Sequence, residues 1–331
     1  MKALASPPDA VTPRQKPGTQ RRLLPDATAV QEREAVSEPV SIVIPSWTGN
    51  VERTLRSIQC QTFRDYRVNV VRGVSPAGRA RNIGVSRTQG QLILFIDDDA
   101  YFGHDRVLEG LVQTLQGDPT IGVVGPSLQL PPDANAFQRR LAVEAPRWVF
   151  PIHDGDFESN PPLDHYGHTA ISTTCCLLRR TAFEDLAGFD ESLPTGPEDT
   201  EFFYRMRKSG FRFVVPRRSW VYHYPPPNLT TAVKKYLGYG IGHALEARKA
   251  PERHLDIVPL GHWYGKVIVL FAVFLLVPSL FVNLYLNPIR QIRFGLRPLK
   301  AISSYAALCG YTWGWLHGGA SSHSPRASQR K

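Results

Sequence analysis

The run Leu92-Ile93-Leu94-Phe95-Ile96, followed at once by Asp97-Asp98-Asp99, constrains this chain more than any other stretch. Five consecutive apolar residues fit a strand covered on both faces, as inside a mainly parallel sheet. Open α/β sheets bind ligands in the crevice beyond the carboxyl ends of their strands. Three carboxylates therefore stand where a site is expected. They repel one another, and a divalent cation that prefers oxygen ligands, Mg2+ or Mn2+, relieves that repulsion. Asp97 and Asp99 are two residues apart, so they point the same way in extended chain. A solvated acidic turn that caps the next helix is the plainer alternative.

The flanking sequence alternates strand and helix patterns, which defines an α/β fold. Residues 40–45 form a short apolar strand stopped by Pro45, and Asn50 is placed to cap a helix over 51–61. A strand over 66–71 and a helix over 78–88 carrying Arg79, Arg81 and Asn82 follow, then the central strand, a helix over 105–115 and a strand over 121–124. Residues 127–170 are expected to be irregular. Their Trp148, Phe150, His153, His165, Tyr166 and His168 either line a cleft or lie on a plain surface excursion. Order resumes with a strand over 173–179, the turn Gly188-Phe189-Asp190-Glu191, and Gly196-Pro197-Glu198-Asp199 leading into a helix over 200–209. Proline and acids also suit an ordinary first helical turn. Strands over 212–215 and 220–222, the second ending at His223, precede a basic helix over 230–248.

Charge divides the chain. Residues 1–38 carry a net +1, residues 39–204 a net −7 and residues 205–331 a net +16. The basic part suits either nucleic acid or an anionic membrane surface. An uncharged run of 22 residues, 267–288, decides for the membrane, since about 20 apolar residues span a bilayer core. Arg290, Arg293, Arg297 and Lys300 follow it, then a weaker apolar stretch over 301–320 with Tyr305, Tyr311, Trp313 and Trp315. Basic and aromatic residues beside an apolar run act as interface anchors. A buried core helix is the alternative for the first run. Cys60, Cys175, Cys176 and Cys309 lack paired spacing, which argues against a zinc site or a disulfide framework and fits a reducing compartment.

Four stretches, taken in order, resemble the family 2 glycosyltransferases: Val40-Ser41-Ile42-Val43-Ile44-Pro45, Ala80-Arg81-Asn82-Ile83-Gly84, Asp97-Asp98-Asp99, and Gly188-Phe189-Asp190-Glu191 with Glu198-Asp199. The resemblance covers residues 39–225. It implies a GT-A fold with a mainly parallel central sheet, inverting chemistry, Mg2+ or Mn2+, and a nucleoside diphosphate sugar as donor. By the same resemblance, Asp97 and Asp99 hold the metal, His223 completes its shell, and Asp98 reaches the ribose. Asp199 is the general base, with Glu198 beside it. Pro45 and Ser46 end the strand next to the nucleotide, and Arg81 matches a position near it; Arg79 and Arg81 either assist at its phosphates or lie on a solvated helix face. Family members commonly show Val-Asp-Asp-Gly-Ser after the second strand, whose first aspartate holds the base. Here the stretch is Val70-Val71-Arg72-Gly73-Val74-Ser75, which leaves Arg72, Ser75 or backbone groups for that contact.

These expectations divide the chain into a disordered tail (1–38), a catalytic domain (39–228), a basic helical linker at the membrane surface (229–265), hydrophobic membrane-associated helices (266–320) and a second tail (321–331). The expected activity is transfer of a single sugar to an acceptor hydroxyl, because no Gln-x-x-Arg-Trp motif of processive synthases follows Asp199. The membrane tail points to a lipid-linked glycan acceptor in surface polysaccharide or glycolipid synthesis, at the cell membrane with the catalytic domain on the cytoplasmic side. A catalytically decayed sugar-nucleotide-binding membrane protein is the alternative. No nucleic-acid motif is present, so no nucleic-acid partner is expected.

Overall fold

The computed structural model describes residues 40–145, 148–161, 170–194, 196–249 and 297–317. Its centre is β3 (Leu92–Ile96), and all five of its residues are buried. Alternation along the strand feeds two cores. Leu92, Leu94 and Ile96 enter one cluster together with Leu108, Leu111 and Leu115 of α3 (Val107–Gly117). Ile93 and Phe95 enter the other with Phe202, Phe203 and Met206 of α6 (Pro197–Lys208). The sheet is thus the middle of three layers.

Seven strands form the main sheet in the order β2-β1-β3-β8-β5-β9-β7. β1 (Val40–Ser46) pairs in parallel with both β2 (Tyr66–Arg72) and β3. β8 (Cys175–Arg179) lies antiparallel between β3 and β5 (Ile121–Val124). β9 (Arg212–Val215) runs parallel to β5, and β7 (Phe157–Glu158) closes the edge antiparallel. The sheet is therefore mixed, not mainly parallel. A strand buried on both faces reads as a continuous apolar run in either direction, so Cys175 to Leu178 carried no mark of its reversal.

A smaller sheet, β4-β10-β6, stands beside the carboxyl end of β3. β4 (Ala100–Phe102) is antiparallel to β10 (Trp220–His223), which is parallel to β6 (Ser127–Gln129). α1 (Glu52–Gln59) and α2 (Ala77–Ser86) connect the parallel strands. Val51, not Asn50, stands at the cap of α1, and its side chain makes no capping bond. Residues 127–170 are more ordered than expected. They hold β6, β7 and α4 (Ala136–Glu144), whose capping box pairs Asn135 with Gln138.

α5 (Arg180–Asp185) leads toward α6. α7 (Leu229–Lys249) and α8 (Pro298–His317) then pack together. A Cβ on Gly240 would lie 1.9 Å from the Ala307 carbonyl, and one on Gly310 would lie 2.0 Å from the Leu237 carbonyl. The helix backbones touch where side chains are missing. The amino end of α8 is tied to α4, because buried Glu144 accepts from the Leu299 amide at 2.6 Å and the Lys300 amide at 3.3 Å. The weak apolar stretch expected at the membrane interface is thus a helix packed on α7. Among the described residues no helix is long and apolar enough to cross a membrane. The span expected over 266–286 lies outside the described residues.

Candidate active site

Strand ends and register assemble the acidic cluster. Asp97 follows β3, and its amide donates to the Thr174 carbonyl at 3.0 Å. β4 begins at Ala100, and the pairing of His223 with Ala100 brings the imidazole beside Asp99, with Nε2 3.4 Å from Oδ1. One ligand atom each from Asp97, Asp99 and His223 lies within 4.8 Å of the others. Two carboxylates and an imidazole suit a first-row or alkaline-earth divalent cation. His223 is buried, stacks on Trp148 with ring centres 5.6 Å apart, and leaves its Nδ1 without a partner. Burial works to raise the Asp99 pKa, but the neighbouring His223 and Lys235 outweigh it and hold the group below the usual carboxylate range.

Asp98 turns the other way. Its Oδ2 accepts from Ser46 Oγ at 2.5 Å, and its carbonyl accepts from Thr54 Oγ1 at 2.8 Å. Ser46 Oγ also accepts from the Gly49 amide at 2.8 Å. Partial burial and the two flanking aspartates push the Asp98 pKa upward against the Ser46 hydrogen bond. Ser46 pairs with Arg72 and Pro45 with Val71, so the ends of β1 and β2 lie side by side. The Arg72 stem runs over Gly49, where an added Cβ would stand 3.2 Å from Arg72 Cδ. Trp47, on the same loop, is 68% exposed.

Arg81 is brought to the acidic cluster. It is 3% exposed, and its Nη1 donates to Glu198 Oε1 at 2.8 Å while its Nη2 donates to Asp97 Oδ1 at 3.0 Å. The guanidinium is held between two carboxylates at the cavity. Arg79 is not brought to the site: it is exposed and pairs with Glu191 at 3.8 Å. Glu198 is 2% exposed. Burial, with the charge of Asp199, raises its pKa to about 7 against the pull of Arg81. It positions Arg81 and is almost fully buried at the cavity wall. Its Oε2 also accepts from the Gly196 amide. Gly196 has φ +128°, and a Cβ there would lie 2.5 Å from the Tyr239 ring, so only glycine fits. Asp199 stays half-buried at the cavity wall, with Oδ1 accepting from the Thr200 amide at 2.7 Å.

Part of this cluster lines one cavity of about 390 Å³. Asp97 and His223 at strand ends, Arg81 of α2, and Glu198 and Asp199 of α6 form one of its sides, whereas Asp98, Asp99, Ser46 and Arg72 do not line it. Lys234, Lys235, Gly238, Tyr239 and His243 of α7 form the facing wall. Trp148 and Phe150 line it, the first of the two readings the sequence left open. His153 instead stacks on Phe157 at 4.3 Å, and His165, Tyr166 and His168 lie outside the described residues. The lining by α7 was missed because its lysines read as a membrane-facing surface. The available signal was the spacing Lys234, Lys235, Gly238, Tyr239, Gly242, His243, which is one stripe of a helix.

A mixed α/β sheet with an acidic cluster at the carboxyl end of its central strand, a histidine from a second small sheet and a further carboxylate on the cavity fit a glycosyltransferase of the GT-A fold. The family described as glycosyltransferase like family 2 matches residues 26–237, and the chain belongs to that family. The succinoglycan biosynthesis protein ExoM of Rhizobium meliloti is 32% identical over 152 residues, 45% of each chain. The O-antigen biosynthesis protein RfbC of Myxococcus xanthus is 28% identical over 156 residues, 43% of this chain and 12% of that protein. The match therefore spans less than half the length of these curated relatives. The mannosyltransferase PcManGT of Pyrobaculum calidifontis, solved with GDP-Man and Mn2+, aligns with TM-score 0.54 at 17% identity. It covers 83% of this chain and 87% of that one, a likeness of fold.

Proposed function

We propose that the chain is a metal-dependent inverting glycosyltransferase. It moves one sugar from a nucleoside diphosphate sugar to a hydroxyl of a lipid-linked glycan in surface polysaccharide synthesis. The observation that carries this is the placement of Asp97, Asp99 and His223 and, on the same cavity, the half-buried Asp199. The donor set fits Mn2+ or Mg2+ with both carboxylates ionised. The cation, when bound, neutralises charge on the departing diphosphate as a Lewis acid. Asp98, fixed by Ser46, faces the ribose, and Pro45, Ser46 and Arg72 border the nucleoside across the parallel ends of β1 and β2.

Asp199 takes the proton of the acceptor hydroxyl. The acceptor oxygen forms its bond to the anomeric carbon as the bond to the phosphate oxygen breaks, and the electron pair leaves with the diphosphate. Attack opposite the leaving group inverts the centre without a covalent enzyme intermediate. The acceptor enters against Tyr239, whose ring offers an apolar face to a sugar. Relatives named for succinoglycan and O-antigen biosynthesis support a glycan acceptor. The net +16 of residues 205–331 and the uncharged run 267–288 support work at the cytoplasmic face of a cell membrane.

The test is a panel of UDP-, GDP- and dTDP-sugars with Mn2+ and polyprenyl-diphosphate glycans, with release of nucleoside diphosphate and the product anomer as readouts. Transfer with inversion is expected. Asp199→Asn should lower kcat on the order of 10²- to 10⁴-fold while nucleotide binding is unchanged. Full activity of Asp199→Asn removes it as the base, and nucleotide binding without any turnover favours a decayed binding protein.

A further inference from the structure

The positive groups around the cavity differ in what else they hold. Both terminal nitrogens of Arg81 are committed to Asp97 and Glu198. Arg79 lies outside the cavity, against Glu191. The His223 imidazole belongs to the cation site. His243 Nδ1 lies 3.1 Å from Glu246 Oε2, a carboxylate that is fully buried. Lys234 of α7 also lines the cavity but is exposed. Lys235 is half-buried, and its ammonium stands 4.9 Å from the centre of the Trp148 ring. That indole is itself fixed. Its Nε1 donates to Tyr236 Oη at 3.2 Å, and its ring stacks on His223. An ammonium over an indole face is held in place by the ring's quadrupole. Lys235 is also near enough to Asp99 for the two charges to attract.

A departing nucleoside diphosphate brings more negative charge than one divalent cation neutralises, the more so when two aspartates already share that cation. We propose that Lys235, presented by α7 on the Trp148 ring, contacts the diphosphate of the donor and stabilises it as it leaves. As the bond between the anomeric carbon and phosphate oxygen breaks, the electron pair passes to that oxygen, and the ammonium, which keeps its proton, lies beside it. Arg81 performs the different task of holding Asp97 and Glu198 in place. The inference rests on the nucleoside diphosphate sugar proposed above as donor.

The test measures binding as well as turnover. With Mn2+ present, the full chain is titrated with UDP, GDP and dTDP, and with the matching monophosphates. Wild type should bind one diphosphate more tightly than its monophosphate. Lys235→Met should lose about 10- to 100-fold in affinity for that diphosphate, as for a charged hydrogen bond removed, and keep its affinity for the monophosphate. Lys235→Arg should recover part of the loss, and an unchanged melting temperature shows that the variants fold. Equal diphosphate affinity in wild type and Lys235→Met overturns the assignment. So does a loss confined to the KM of the glycan acceptor, which would assign the ammonium to that substrate. A wild type that binds no nucleotide with metal present defeats the donor assignment itself, a failure distinct from these.

Discussion

Glu198→Gln offers a direct check on the electrostatics that hold the site together. In the native protein this carboxyl is buried on α6 with its pKa raised from 4.5 to about 7. Burial is the larger cause, the charge of Asp199 adds to it, and the Arg81 guanidinium opposes both. Between pH 4.5 and 7 the folded chain therefore keeps a proton that the unfolded chain has released. Stability then falls as pH rises, by about 1.4 kcal/mol per unit while the difference is one proton. Taken over the window, the native protein should lose about 3 kcal/mol from this group between pH 4.5 and pH 8. The contribution is fully present below the unfolded pKa and lost as pH rises through the folded one. Glutamine keeps the size and cannot ionise, so the variant lacks this term. Urea unfolding of both proteins across that range gives their stability difference, in which titrating groups that do not interact with Glu198 cancel. The difference should move in favour of the variant by about 3 kcal/mol toward pH 8. A difference constant with pH would mean that Glu198 is ionised throughout and that its pairing with Arg81 outweighs burial.

Other substitutions probe the cation site and the far wall. Asp97→Asn and Asp99→Asn should each weaken Mn2+ binding, read by paramagnetic resonance titration, by more than about 100-fold, beyond the loss caused by changing a residue that only orients a ligand. His223→Ala should weaken it by about 10- to 100-fold and leave the melting temperature of the metal-free protein close to native. Gly310→Val drives a side chain into the Leu237 carbonyl, 2.0 Å from the position of its Cβ. It should cost about 1–3 kcal/mol in thermal unfolding and raise the KM for the acceptor.

The central strand and the acidic triplet were legible because each depends on short-range pattern, whereas His223 was reached only through the family resemblance, because the pairing of β10 with β4 that brings it beside Asp99 is long-range. Leu92–Ile96 could only be buried on both faces, and the aspartates could only follow at its carboxyl end. The sense of β8 was not legible, because burial on two faces leaves no period to read. α4 was hidden by proline, aspartate and histidine around it, although Asn135 and Gln138 spell its capping box. The two arginines could not be told apart for a physical reason. A helix pattern places Arg79 and Arg81 on α2, but which one is swallowed and which one meets solvent depends on α6 arriving with Glu198. Glu198 likewise reads as an acid in a first helical turn. Only the packed structure shows that its partner is a guanidinium held on the other side by Asp97.

The contact between α7 and α8 has a mechanical consequence. Where Gly240 and Gly310 meet opposing carbonyls there is no layer of side chains to compress. A displacement of α8 therefore passes to α7 undiminished, much as one rod pushes another. Lys235 and Tyr239 sit on α7 within about two turns of that contact, and Glu144 pins the other end of α8 to α4. Residues such as Ala307 and Tyr311, which never approach the cavity, thereby set the distance between its two walls. Substitutions there should register first as altered kinetics.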